Sequence, residues 1–270
     1  MEIALQRIQS CVDGRLNLAE LELIELPPLP DGLIQLRCDY NQLTFLPELP
    51  SSLQILRCNN NELTSLPKLP SSLQSIICSN NPLSFLPELP SSLQIIGCKS
   101  NRLTSLPPLP FSLTQLSCTF NQLTILPPLP SSLETITADY NKLTVLPELP
   151  SSLTHLSCSW NRLTSLSSLP RGLRSLYCYG NPLETLPELP STLLEISCEL
   201  PHNNQIYRHS VLTPEVIQQL NHNNQEWMES QSRKRCTERC SIYYEELMNN
   251  RWHPDRIDQL YRIGYVLGNL

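Results

Sequence analysis

From residue 33 to residue 198, apolar and polar positions recur with a period of twenty and no insertion or deletion. One unit reads Leu43, Leu46-Pro47, Leu49-Pro50, Leu53, Leu56, Cys58, Asn61, after which Leu63 opens the next. Around Leu36 and Cys38 apolar and variable residues alternate, the period-2 signal of a strand with one buried face. The Leu-Pro-x-Leu-Pro stretch cannot be helical, because proline fixes φ and lacks an N–H. It is expected to return as extended, polyproline-like chain. A single coil of this kind buries too few side chains to offset the ordering of its backbone, so neighbouring coils must stack. Asn41, Asn61, Asn81, Asn101, Asn121, Asn141, Asn161 and Asn181 mark the same slot of eight units. An amide offers two donors and an acceptor, which suits a turn that no sheet ladder reaches. These eight are read as a structural asparagine ladder.

The unit resembles the leucine-rich repeat, in the twenty-residue form of bacterial effectors of the YopM and IpaH type. The resemblance covers about residues 16–198. It implies an α/β leucine-rich repeat solenoid with a parallel β-sheet on the concave face and an extended polyproline-like convex side. A short N-terminal helix and a small C-terminal helical segment complete it. Residues 1–15 are then an N-terminal helical cap. Residues 16–200 form one capping and nine twenty-residue repeats, and residues 201–270 form a C-terminal helical cap or tail. Ala4–Pro30 is similar to the helix-then-first-repeat cap of those effectors, with Leu16, Leu18, Leu21, Leu23 and Leu26 as an imperfect first unit.

Composition adds compartment and partner class. The chain has 270 residues, with 25 Pro, 7 Gly and a net charge of −6. Glu48, Glu88, Glu148 and Glu188, each between two prolines, are expected on a solvated outer wall. No basic run points to nucleic acid. No run of about 18 apolar residues is present to span a membrane. Eight of the eleven cysteines (Cys38, Cys58, Cys78, Cys98, Cys118, Cys158, Cys178, Cys198) share one inward slot, and Ala138 fills it in the remaining unit. A slot that accepts alanine wants a small apolar group, which free cysteine resembles. A reduced packing ladder is expected, and with it an intracellular, reducing compartment. A monomer is expected.

In leucine-rich repeats the strands line the inner curve, so the variable strand residues become candidates for a protein partner. Those singled out are Arg37, Tyr40, Arg57, Phe120, Tyr140, His155, Trp160, Tyr177 and Tyr179. Phe120, Tyr140 and Trp160 share one slot and should stack as a column. Two readings stay open for it: a binding patch of exposed aromatics, or half-buried packing beneath the strand ends. The middle units look small and polar (Ser75, Ser79, Gly97, Ser117).

After Cys198 the repeat fails, and Pro201 stands where the asparagine would be. Residues 201–212 read as linker. Thr213-Pro214-Glu215 reads as a helix start, opening a helix over about 215–250 with breaks expected near Asn221–Asn224 or Ser230–Ser232. A second start is His253-Pro254-Asp255. The pattern Cys236–Cys240…Trp252-His253-Pro254-Asp255-Arg256 is similar to tails of proteins from large DNA viruses of amoebae, which implies a viral origin and no chemistry. No enzyme is expected. IpaH-type effectors carry a ubiquitin-ligase domain with a Cys-x-Asp nucleophile, but only about seventy residues follow the repeats here, and Cys11-Val12-Asp13 lies within the first cap. Cys236, Cys240 and His253 supply three ligands, short of the four of a structural zinc site. His209 or His222 would have to complete it. No metal and no cofactor are expected. The function read from the chain is a non-catalytic protein–protein interaction module, with an adaptor whose tail recruits a second protein as the alternative.

Overall fold

The structure is a computed structural model that describes residues 2–199 and 206–249. Ten parallel strands stack in chain order. They are β1 (Arg15–Asn17), β2 (Gln35–Arg37), then Ile55–Arg57, Ser75–Ile77, Ile95–Gly97, Gln115–Ser117, Thr135–Thr137, His155–Ser157 and Ser175–Tyr177 as β3 to β9, and β10 (Glu195–Glu199). Each pairs with the next at a shift of one coil, so Leu36 faces Leu56 and Leu56 faces Ile76. Helix α1 (Glu2–Gln9) precedes the sheet and α2 (Pro214–Asn249) follows it. The fold is therefore the leucine-rich solenoid that the period implies.

The strands are short because only their middle residue and the Cys slot turn inward. The backbone N–H of that slot still bonds the next coil, as in Cys98 to the Ser117 carbonyl at 2.8 Å. One buried core runs through every coil from Leu16 to Ile196. The Leu-Pro stretches carry neither helix nor strand, and their leucines reach the core while Glu48, Glu88, Glu148 and Glu188 are exposed. A serine just before the strand binds coil to coil on that wall. Ser72 Oγ donates to the carbonyls of Ser51 and Leu53, both at 2.7 Å, and Ser92 and Ser112 repeat the arrangement.

The end of the repeats differs from the sequence reading. Within the expected linker, β11 (Ile206–Val211) pairs antiparallel with β10, Glu195 facing Val211 and Glu199 facing Ile206. An uncovered last strand would leave a row of unpaired N–H and C=O groups, and an antiparallel return closes it with a short connection. Leu212, Ile217 and Leu220 then join the core. Asn221 binds both the N–H and the carbonyl of Leu189, at 2.8 and 3.0 Å.

Helix α2 starts where expected but runs unbroken through Asn221–Asn224 and Ser230–Ser232. Asn and Ser disfavour helix by less than about 1 kcal/mol each, and pairs one turn apart support the exposed surface: His222–Glu226 at 3.3 Å and Glu229–Arg233 at 3.8 Å. By internal packing the chain divides into two units, the first ending at Asn221 and the second starting at His222. The second expected helix, with His253, lies outside the described residues. Cys236 and Cys240 belong to α2, but their side chains lie outside the description too. Among the described residues, no helix is long and apolar enough to cross a membrane.

Candidate functional site

The asparagines come first, because they set the geometry of every corner. Asn121 Nδ2 donates to the carbonyls of Cys98 (2.9 Å) and Cys118 (3.0 Å), while its Oδ1 accepts from the Leu103 N–H at 3.1 Å. The same trio recurs at Asn61, Asn81, Asn141 and Asn161. Each amide spans two coils. It serves backbone groups that point into the stack where the strand has ended, which is why a side chain must satisfy them.

To bring that amide inward, the residue before it adopts a left-handed backbone. Tyr40, Asn60, Asn80, Ser100, Phe120, Tyr140 and Trp160 have φ between 52° and 56°, and Gly180 has 69°. Asn and Gly accept this region readily, whereas a bulky side chain there is strained. Three coils use Asn or Gly, yet four use an aromatic residue. Their rings are not buried: Tyr40 is 56% exposed, Phe120 52%, Tyr140 44% and Trp160 47%. Phe120 and Tyr140 stack with centroids 4.3 Å apart and planes 12° apart, and Tyr140 and Trp160 at 5.7 Å and 15°. Tyr179 meets Trp160 edge-on at 5.3 Å. The column ends there because Gly180 leaves room: a Cβ on it would come within 2.8 Å of the Trp160 ring.

The remaining candidates lie on the strands, a separate set from the corner residues. Arg37 and Arg57 face each other in register, and both turn to Asp39, whose carboxylate lies 2.9 Å from Arg37 Nε and 3.7 Å from Arg57 Nε. Asp39 is buried and also accepts from Asn59 N and Nδ2, at 2.9 and 2.7 Å. The arginine pair is thus part of a charge network internal to the protein. His155 is exposed, with Nδ1 2.8 Å from Thr154 Oγ1. Tyr177 donates its hydroxyl to Glu195 of the next strand, and that carboxylate raises the tyrosine above its ordinary 10.0.

Sequence reasoning missed two features. Asp39, Asn59, Ser79 and Asp139 form a second ladder two residues before the asparagines, each accepting the backbone N–H of the next coil: Asn59, Ser79, Lys99 and Ser159. The run of Asp, Asn and Ser in one slot was the available signal. The middle strands are also less polar than expected. Ile55, Ile77 and Ile95 share their outer face, and Ile77 fills the notch left by Gly97, 2.9 Å from where a Cβ would stand.

The cysteines of the inward slot are free thiols with no measurable exposure beyond 1%. Burial drives the pKa of Cys38, Cys58, Cys78, Cys98, Cys118 and Cys158 upward, to about 12 for Cys78 and Cys118, so these are neutral packing groups at pH 7.

No protein-family model matches the chain. No curated protein matches it either. Solved structures do. The chain is similar to YopM from Yersinia enterocolitica at 36% identity and a TM-score of 0.66, over 80% of its own length and 53% of that protein's. It therefore spans about half of that YopM. It is similar to the functional domain of InlJ from Listeria monocytogenes, which includes a cysteine ladder, at 27% identity and a TM-score of 0.52, over 65% of this chain and 43% of that one. The leucine-rich repeat domain of APL1B shares the fold at 20% identity and a TM-score of 0.52, over 75% of this chain and 73% of that one.

Proposed function

We propose, from the premise that this chain is a leucine-rich repeat protein similar to bacterial effectors of the YopM type, that it is a non-catalytic module binding a protein partner. The contact surface is the outward strand face together with the corner column of Phe120, Tyr140 and Trp160. One observation carries this reading: three large rings sit exposed in a left-handed slot that Asn60, Asn80 and Gly180 fill without strain. Each such backbone costs on the order of 1 kcal/mol, which stacking of about 0.5–1.5 kcal/mol per ring pair only roughly offsets. Rigid exposed aromatics are the usual anchors of protein contacts. The arginine pair belongs to this surface less directly, since Asp39 already holds both guanidinium groups.

Replacing the column with the residue its backbone prefers tests this. The triple variant Phe120→Asn, Tyr140→Asn, Trp160→Asn is expected to keep its urea midpoint, with a net change within about 1 kcal/mol as strain relief offsets lost stacking. It is expected to lose the proteins that wild type retains in quantitative mass spectrometry of pull-downs. A drop of several kcal/mol with an unchanged protein set would make the column a packing device instead.

A second reading has the tail recruit another protein. It draws on α2 continuing as one helix into the unit that starts at His222. A stop codon after Asn221 keeps Leu212, Ile217 and Leu220 in the core. If the tail is an adaptor, this truncation is expected to remove one subset of partners and leave the column-dependent subset. An unchanged partner set excludes the adaptor.

A further inference from the structure

The corner column has a charged neighbour. Two residues beyond each ring slot, the coils carry Arg102, Gln122, Lys142 and Arg162, all exposed. Lys142 runs along the stack, its Nζ donating to Gln122 Oε1 one coil earlier at 3.2 Å. Across residues 99–104, 119–124, 139–144 and 159–164 there are four cations (Lys99 is the fourth) against one carboxylate, Asp139. That carboxylate is occupied by Ser157 Oγ at 2.6 Å and Ser159 N at 2.8 Å. The whole chain, in contrast, has a net charge of −6. This edge is therefore a basic, aromatic rim on an acidic protein.

We propose that this rim takes an acidic, extended peptide segment of the partner, with apolar or aromatic side chains among its carboxylates. The proposal rests on the interaction reading and adds the chemistry of the occupant. Its carboxylates meet Arg102, Lys142 and Arg162, and its apolar side chains lie along the rings. The stacking decides against nucleic acid. Tyr140 is stacked on both faces, at 12° and 15° from parallel, and Trp160 has Tyr140 on one face and Tyr179 edge-on, so successive bases cannot stack on successive rings as they do on a single-strand binding platform. What the column offers outward is ring edges, the positive part of an aromatic quadrupole, which suits carboxylate and carbonyl oxygens. The three rings span about 10 Å, the reach of about three residues of extended chain.

Fluorescence anisotropy tests this with the full chain and a fluorescein-labelled peptide of alternating glutamate and leucine or tyrosine. Binding is expected, with loss of affinity on raising salt. The variant Arg102→Glu, Lys142→Glu, Arg162→Glu is expected to bind about tenfold more weakly or worse. The variant Arg15→Glu, Lys68→Glu, Arg171→Glu has the same net charge at exposed positions away from the rim and is expected to change affinity by less than about twofold. Equal weakening by both variants, equal binding of a peptide with lysine in place of glutamate, or competition by oligothymidylate at matching concentration would each overturn the proposal. If charge reversal at the rim leaves the column-dependent protein set intact in pull-downs, the acidic occupant is wrong while the interaction module stands.

Discussion

Raising the pH from 8 to 10 under reducing conditions is expected to remove on the order of 9 kcal/mol of stability from the solenoid. Cys38, Cys58, Cys78, Cys98, Cys118, Cys158 and Cys178 are all raised above their ordinary 9.0, with burial the first cause except at Cys178, where a hydrogen bond to Cys198 leads. A thiol whose folded pKa is raised contributes its full stability below pH 9. That contribution is lost as the unfolded thiol ionises and the folded one does not, at about 1.4 kcal/mol per thiol per pH unit. Seven thiols acting together rival the whole stability of a typical domain, about 5–15 kcal/mol. The loss should therefore show as a steep fall in urea midpoint between pH 9 and 10. The variant Cys78→Ala, Cys98→Ala, Cys118→Ala, built on the precedent of Ala138, is expected to lose about 4 kcal/mol less over the same interval. Parallel pH profiles for the two proteins would show that the ladder is not the source of alkaline lability.

Asn121→Ala is expected to cost about 1–3 kcal/mol, because it strands one buried backbone N–H and takes one of two donors from carbonyls in each of two coils. The Leu103 N–H loses its acceptor, while the Cys98 and Cys118 carbonyls each lose one of two amide donors and keep the other, from Asn101 and Asn141. Alanine returns none of these bonds, and water has little access to a slot that is 8% exposed. In a stack whose stability is built from neighbour contacts, the damage extends to adjoining coils. Chemical denaturation checks it, with Phe120→Asn alongside as a nearly neutral change in the adjacent slot. A loss below about 1 kcal/mol would mean that the amide is a spectator.

The candidate site was legible in uneven parts. The stacking of Phe120, Tyr140 and Trp160 followed from their shared slot. Their left-handed backbone had a signal as well, since Asn60, Asn80 and Gly180 occupy that slot in other coils. Arg37 and Arg57 could be placed one above the other, but the Asp39 carboxylate beneath them depends on which way a side chain turns at the corner. Ile55 and Ile95 share one slot two units apart and Ile77 comes from another slot of the unit between them, so a slot-by-slot reading separated them. The strand Ile206–Val211 was invisible because nothing in its own composition matters as much as the open edge of β10 that it covers.

The twenty-residue period alone determined the solenoid, the parallel register and the inward slots of Leu, Cys and Asn. Those properties are local and repeated, so one unit read correctly is every unit read correctly. Tertiary structure decided how the stack ends, which charges neutralise each other, and whether the rings lie open or covered. Each of these depends on what the neighbouring coil or the returning chain brings to a surface, and free energies of that kind belong to contacts between segments rather than to any segment by itself.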